Sequence, residues 1–135
     1  MNIKTLTAAL ATAALLAACG TTKTTAPAAG AKPSTLTQAA DGTLIGPDGR
    51  TLYVFAKDVA GSGKSTCVDA CAANWTPLGV AATAVPLGDY TIITRADGSK
   101  QWAFKGMPLY YYAKDTKSGD RLGDGVGGNW KIAKP

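Results

Sequence analysis

Cys67 and Cys71 are the residues of this 135-residue chain whose type and spacing come closest to a chemical site. A thiol-exchange centre uses two cysteines separated by two residues in a βαβ setting, with a cation or imidazole that lowers one thiol pKa. Here the spacer is Val68-Asp69-Ala70, the surroundings show no βαβ pattern, and Lys64 is the only nearby cation. Two thiolates with Met107 as a soft third ligand would suit copper(I), but Met107 lies far away in sequence. In an oxidising compartment such a pair closes, so a static disulfide between Cys67 and Cys71 is the reading we adopt.

The other candidate groups are read as structural. The chain has no histidine, and all nine acidic residues are aspartate. The commonest general base, the commonest metal ligand and the C-x-x-C-H haem attachment site are therefore missing. Asp58 and Asp115 could be imagined as paired acids for hydrolysis, which would need one raised pKa and a substrate cleft. The simpler reading is that each accepts backbone N–H groups in the turn that follows it. Asp115, Asp120 and Asp124 miss the every-second-residue spacing of a calcium loop, and no glutamate completes the shell. Gly61-Ser62-Gly63-Lys64-Ser65-Thr66 resembles the end of a phosphate-binding loop, but Asp58 stands where its first glycine belongs, so we read a flexible loop without nucleotide. The aromatic residues Tyr53, Phe55, Trp75, Trp102, Tyr110, Tyr112 and Trp130 read as core, with a sugar or peptide groove as the alternative. No nucleophile with a base can be assembled, so we expect no enzyme, no metal and no cofactor.

These residues must be carried by something, and the N-terminus says where. Lys4 supplies a positive n-region, and Ile3 to Leu16 supply an apolar run too short for a span of about 20 residues. Small residues then lead into Cys19. Leu16-Ala17-Ala18-Cys19 resembles the bacterial lipoprotein signal. By that resemblance residues 1–18 are removed, Cys19 is lipidated, and Gly20 in place of aspartate after it sorts the protein to the outer membrane, facing the periplasm. Residues 20–40 are mostly Thr, Ala, Pro, Gly and Lys with little to bury, the composition of a tether reaching on the order of 25 Å. Residues 41–135 form the domain. The formal net charge of +5 loses Lys4 to the signal and Lys23 and Lys32 to the tether, and the remaining cations are scattered among aspartates. Nucleic acid is not an expected partner. The membrane is one, through the lipid, and a protein or small-molecule ligand is left open.

The domain contains a duplication. Leu52-Tyr53-Val54-Phe55-Ala56-Lys57-Asp58 recurs as Leu109-Tyr110-Tyr111-Tyr112-Ala113-Lys114-Asp115, each preceded by a glycine, Gly49 or Gly106, and followed by Asn74-Trp75 or Asn129-Trp130. The halves divide at about 41–88 and 89–135. Alternation puts Tyr53 and Phe55 on one face and Leu52 and Val54 on the other, so this strand should be buried on both sides, as should its copy. Hairpins are predicted around 46–50 and around Asp97-Gly98, and a last strand over 130–133. One helix is expected over 65–73, entered through a capping box at Thr66 and Asp69. Cβ atoms four apart on a helix are too distant for a disulfide, so Cys67 should sit in the turn entering it. The expected fold is mainly β, a small α+β antiparallel domain from two related halves with one short helix and a disulfide staple.

Taken together, Tyr53 to Asp58, the cysteines with Asn74-Trp75-Thr76-Pro77-Leu78, Asp97-Gly98 to Gln101-Trp102, and Gly106-Met107-Pro108-Leu109-Tyr110 with Asp115 resemble a bacterial lipoprotein family. Its motif is Tyr, any residue, an aromatic, any two residues, then Asp, and it is also described as a secreted repeat of unknown function. The resemblance covers essentially the whole domain and implies an envelope lipoprotein without an assigned activity. This chain has Lys131 where the family often has histidine, so no role resting on that histidine carries over. We expect a membrane-anchored binding or structural module; the alternative is a redox or copper-handling lipoprotein using Cys67 and Cys71.

Overall fold

The computed structural model describes residues 36–135, and at its centre lie two antiparallel three-residue strands, one from each copy of the repeated motif. These are β3 (Tyr53–Phe55) and β8 (Tyr110–Tyr112), with Tyr53 directly opposite Tyr110. They are flanked by β4 (Trp75–Pro77) and β9 (Trp130–Ile132), giving the strand order β4-β8-β3-β9. Alternation works out as expected. Tyr53, Phe55, Tyr110 and Tyr112 pack with Trp75, Trp130 and Cys67 on one face. Leu52, Leu109 and Tyr111 pack on the other with Leu36, Leu44, Leu78, Tyr90, Trp102, Phe104 and Ala133. A central strand covered on both faces is apolar on both, which explains the unbroken run Leu109-Tyr110-Tyr111-Tyr112.

The two repeats exchange their last strands. β4, from the first repeat, pairs with β8 of the second; β9, from the second, pairs with β3 of the first. The backbone beyond repeats the exchange. Leu44 N–H donates to Ala133, Ala133 to Leu52 and Leu52 to Leu44; in parallel Trp102 donates to Leu78, Leu78 to Leu109 and Leu109 to Trp102. Each ring of three borrows one member from the other repeat. A half of the sequence is therefore not a half of the structure, and neither repeat completes its own sheet.

Each repeat also opens with a hairpin. β5 (Tyr90–Thr94) and β6 (Lys100–Phe104) pair around Asp97-Gly98 as expected, and β7 (Met107–Pro108) extends that sheet. Its counterpart is β1 (Thr37–Gln38) with β2 (Leu44–Ile45), and the turns match bond for bond. Ala39 N–H donates to Thr43 and Gly42 to Ala39, as Arg95 does to Ser99 and Gly98 to Arg95. Asp41 accepts from Thr43 N–H as Asp97 does from Ser99.

Three expectations need correction. The tether was placed through residue 40, yet Leu36 is 1% exposed and Thr37–Gln38 is a strand, so the folded domain begins by residue 36. The hairpin around 46–50 forms, with a bridge between Ile45 and Thr51 and N–H bonds from Gly46 to Arg50, Gly49 to Gly46 and Leu52 to Leu44, but it stops short of β3, whose edges go to β8 and β9. The helix α1 (Ala70–Asn74) starts five residues later than expected, and Asp69 makes no side-chain cap. Its capping box fails because Asp58 takes both the N–H and the hydroxyl of Thr66. Cys67 does precede the helix, 5.1 Å from Cys71 between Cα atoms, and the disulfide forms. No helix among the described residues is long and apolar enough to cross a membrane. The signal segment, Cys19 and residues 20–35 lie outside the described residues.

Candidate functional site

The repeated motif brings Tyr53, Asp58, Tyr110 and Asp115 together crosswise. The Tyr53 hydroxyl donates to Asp115 Oδ2 and the Tyr110 hydroxyl to Asp58 Oδ2, each at 2.5 Å. Each tyrosine thus bonds the aspartate of the other repeat. The remaining oxygen of each carboxylate clasps the loop behind it: Asp58 Oδ1 accepts from Thr66 N–H at 2.7 Å, and Asp115 Oδ1 from Leu122 N–H at 2.9 Å. This is the turn-holding role expected of both aspartates, with a link between repeats added. Burial at 5% and 1% exposure would be costly for bare carboxylates, and these hydrogen bonds offset it. Burial, reinforced by the hydrogen bond to the partner aspartate, pushes the hydroxyls of Tyr53 and Tyr110 above the ordinary tyrosine range.

The aromatic residues stack in the same crossed order. Phe55 lies on Trp130, Trp130 on Trp75 and Trp75 on Tyr112, with ring centroids 4.4, 3.6 and 4.2 Å apart. The two tryptophans, which occupy equivalent places in the two repeats, are within 5° of parallel. Tyr53 and Tyr110 meet this stack edge-on, against Trp75 and Trp130 respectively. All six rings are buried, as is Trp102 in the opposite core, so they form core and no open sugar or peptide groove. Close approach imposes glycine beside them: a Cβ on Gly123 would lie 2.8 Å from Trp75 Cη2 and 2.9 Å from Tyr53 Cζ. The glycines ahead of each motif, Gly49 and Gly106, have φ of +84° and +81°.

The loop before Cys67 and the β5–β6 hairpin form one lobe, the loop before Leu122 and the β1–β2 hairpin the other. Among the described residues one polar network lies in the first lobe alone, and sequence reasoning did not find it. Ser65 Oγ lies 2.6 Å from the Tyr110 hydroxyl and accepts from Arg95 Nη1 at 2.9 Å. Arg95 Nη1 also donates to Gln101 Oε1 and Nη2 to the Cys67 carbonyl, while Gln101 Nε2 donates to the Leu109 carbonyl. Arg95 thereby fixes the segment that enters the disulfide. Cys67 itself is fully buried against the aromatic stack, with Cys71 partly buried beside it. Asp120 Oδ2 accepts from Thr116 and Lys117 N–H groups and holds a turn, while Asp124 Oδ1 accepts from Ile132 N–H and ties its loop to β9. No group of three or more potential metal-ligating side chains of the His, Cys, Asp and Glu types gathers among the described residues.

No curated protein and no solved structure matches the chain. The model of a family described as a secreted repeat of unknown function matches twice, over residues 35–79 and 91–134. The first match begins just before the buried Leu36, in agreement with the extended boundary. That description suggests an extracellular or envelope location. With two interlocked copies of one unit and a motif aspartate in each held by the other's tyrosine, the chain belongs to this family of secreted repeats.

Proposed function

We propose that this chain is a lipid-anchored module of the bacterial envelope, held through Cys19 at the outer membrane facing the periplasm, whose domain works by binding or as a structural element without catalysing a reaction. One observation carries the reading of the domain. Tyr53, Asp58, Tyr110 and Asp115 satisfy one another, and Phe55, Trp75, Tyr112 and Trp130 pack on one another. The recurring residues therefore encode an interlocked scaffold, and recognition falls to the loops that the scaffold displays. The anchor rests on Leu16-Ala17-Ala18-Cys19 at the end of a short apolar run. Membrane fractionation and intact mass of Cys19→Ser test it: the variant should yield an uncleaved or unlipidated product. Recovery of a normal, membrane-bound mature mass from that variant would contradict the reading.

A further inference from the structure

The loop before the disulfide and the turn after β5 enclose a cleft of about 330 Å³ lined by Lys64, Ser65, Thr94, Arg95 and Ala96. Two of those five residues are cations and none is an acid. Arg95 is only 7% exposed, and its hydrogen bonds all go to neutral acceptors, the Ser65 hydroxyl, the Gln101 amide and the Cys67 carbonyl. Those bonds use three of the five N–H groups of a guanidinium. Among the described residues neither Arg95 nor the exposed Lys64 has a carboxylate within ion-pair distance. Asp97 is near enough for its charge to act on Arg95 but makes no ion pair with it, so much of the cost of burying this cation remains for a bound anion to offset.

The other lobe shows what such a counter-ion does. Thr66 and Leu122 are equivalent, since each gives its N–H to the motif aspartate, so Ser65 corresponds to Arg121. The matched turns make Arg95 correspond to Ala39 and Asp97 to Asp41. In that lobe Arg121 Nη1 lies 2.7 Å from Asp41 Oδ2, so the loop and the turn are tied by a cation and an anion of the chain itself. Here the cation has moved to the turn, Lys64 has joined it, and Asp97, whose Oδ1 accepts from Ser99 as Asp41 Oδ1 does from Thr43, makes no ion pair across to the loop. Among the described residues no ion pair of the chain ties the loop to the turn in this lobe.

We propose that this cleft binds a phosphate-type oxyanion, which ties the loop to the turn as the Arg121–Asp41 ion pair does in the other lobe. The Arg95 guanidinium approaches it from the buried wall and the Lys64 ammonium from the rim, a pairing of planar fork and mobile point charge that suits a phosphate held from two sides. The anion is either free phosphate or the headgroup of an anionic phospholipid. The site gives the binding reading above a ligand class, but it does not depend on Cys19.

The test is an NMR titration of the full chain, ¹⁵N-labelled, with inorganic phosphate and, separately, with short-chain phosphatidylglycerol below its micelle concentration. Short-chain phosphatidylcholine serves as the zwitterionic control. Saturable shifts should appear at the Arg95 Nε–H and at the amides of Lys64, Ser65 and Ala96, and Lys64→Glu should weaken them by about tenfold or more. Tighter binding of phosphatidylglycerol than of phosphate identifies a lipid headgroup; the reverse identifies free phosphate. Arg95→Gln removes the buried cation, and the exposed Lys64 keeps the test decisive if that variant fails to fold. Absence of saturable shifts with both anions, or shifts unchanged in Lys64→Glu, overturns the proposal, while the mass of the Cys19 variant tests the anchor independently.

Discussion

Trp75 and Trp130 lie face to face with their ring centroids 3.6 Å apart, and each comes from a strand lent to the opposite repeat. The pair therefore reports the interlock directly. Stacked indoles at this distance couple their transitions, so the far-ultraviolet circular dichroism should show an exciton couplet that Trp130→Phe abolishes. Trp130→Ala should destabilise the fold by about 3–5 kcal/mol, as for a large buried aromatic. A folded Trp130→Phe variant that retains the couplet would contradict the stack.

The disulfide should act as a staple. Closing so short a loop contributes about 2 kcal/mol, which for a domain of this size lowers the melting temperature of a Cys67→Ala/Cys71→Ala variant by roughly 10 °C. Because Cys67 is fully buried and Cys71 only partly exposed, mild thiols can attack at Cys71 alone and should reduce the bond slowly in the folded chain. Rapid reduction of the native chain, or stoichiometric copper(I) on the reduced chain, would point to redox or metal handling.

Tyrosine ionisation offers a third check. Burial raises the pKa of Tyr53, Tyr90, Tyr110 and Tyr111, with a further contribution from a neighbouring aspartate in each case. A raised folded-state pKa contributes stability that is complete below the unfolded value near 10 and is lost as pH climbs through the folded value. Stability should thus hold to about pH 10 and then fall. Spectrophotometric titration should show these four of the five tyrosines ionising only above the ordinary range, together with unfolding. Reversible ionisation of all five near pH 10 in a folded chain would exclude the buried hydroxyls.

Much of this was legible in the residues. Two-sided alternation in Leu52 to Phe55 and Leu109 to Tyr112 located the central strands, and the spacing of Cys67 and Cys71 placed the first outside the helix. Repetition shows that Tyr53 and Tyr110 are equivalent, but it cannot show which aspartate each one meets; the exchange of β4 and β9 is a tertiary choice. Leu36 was hidden because one apolar residue among Thr, Ala and Pro carries no periodicity. Arg95 gave no signal either, since a cation at a strand end ordinarily reads as solvated. The capping box at Thr66 lost to Asp58, a competitor eight residues upstream that local pattern does not weigh.

The central claim is that each motif tyrosine serves the other repeat's aspartate, and a double-mutant cycle measures it most directly. Tyr53→Phe and Tyr110→Phe should each cost about 1–3 kcal/mol, since each leaves a buried carboxylate short of a donor. In denaturant unfolding, Tyr53→Phe with Asp115→Asn, and Tyr110→Phe with Asp58→Asn, should show coupling energies of about 0.5–3 kcal/mol. The same-repeat combinations, Tyr53 with Asp58 and Tyr110 with Asp115, should be additive within about 0.5 kcal/mol. Strong coupling inside each repeat with additivity between repeats would contradict the crossed arrangement.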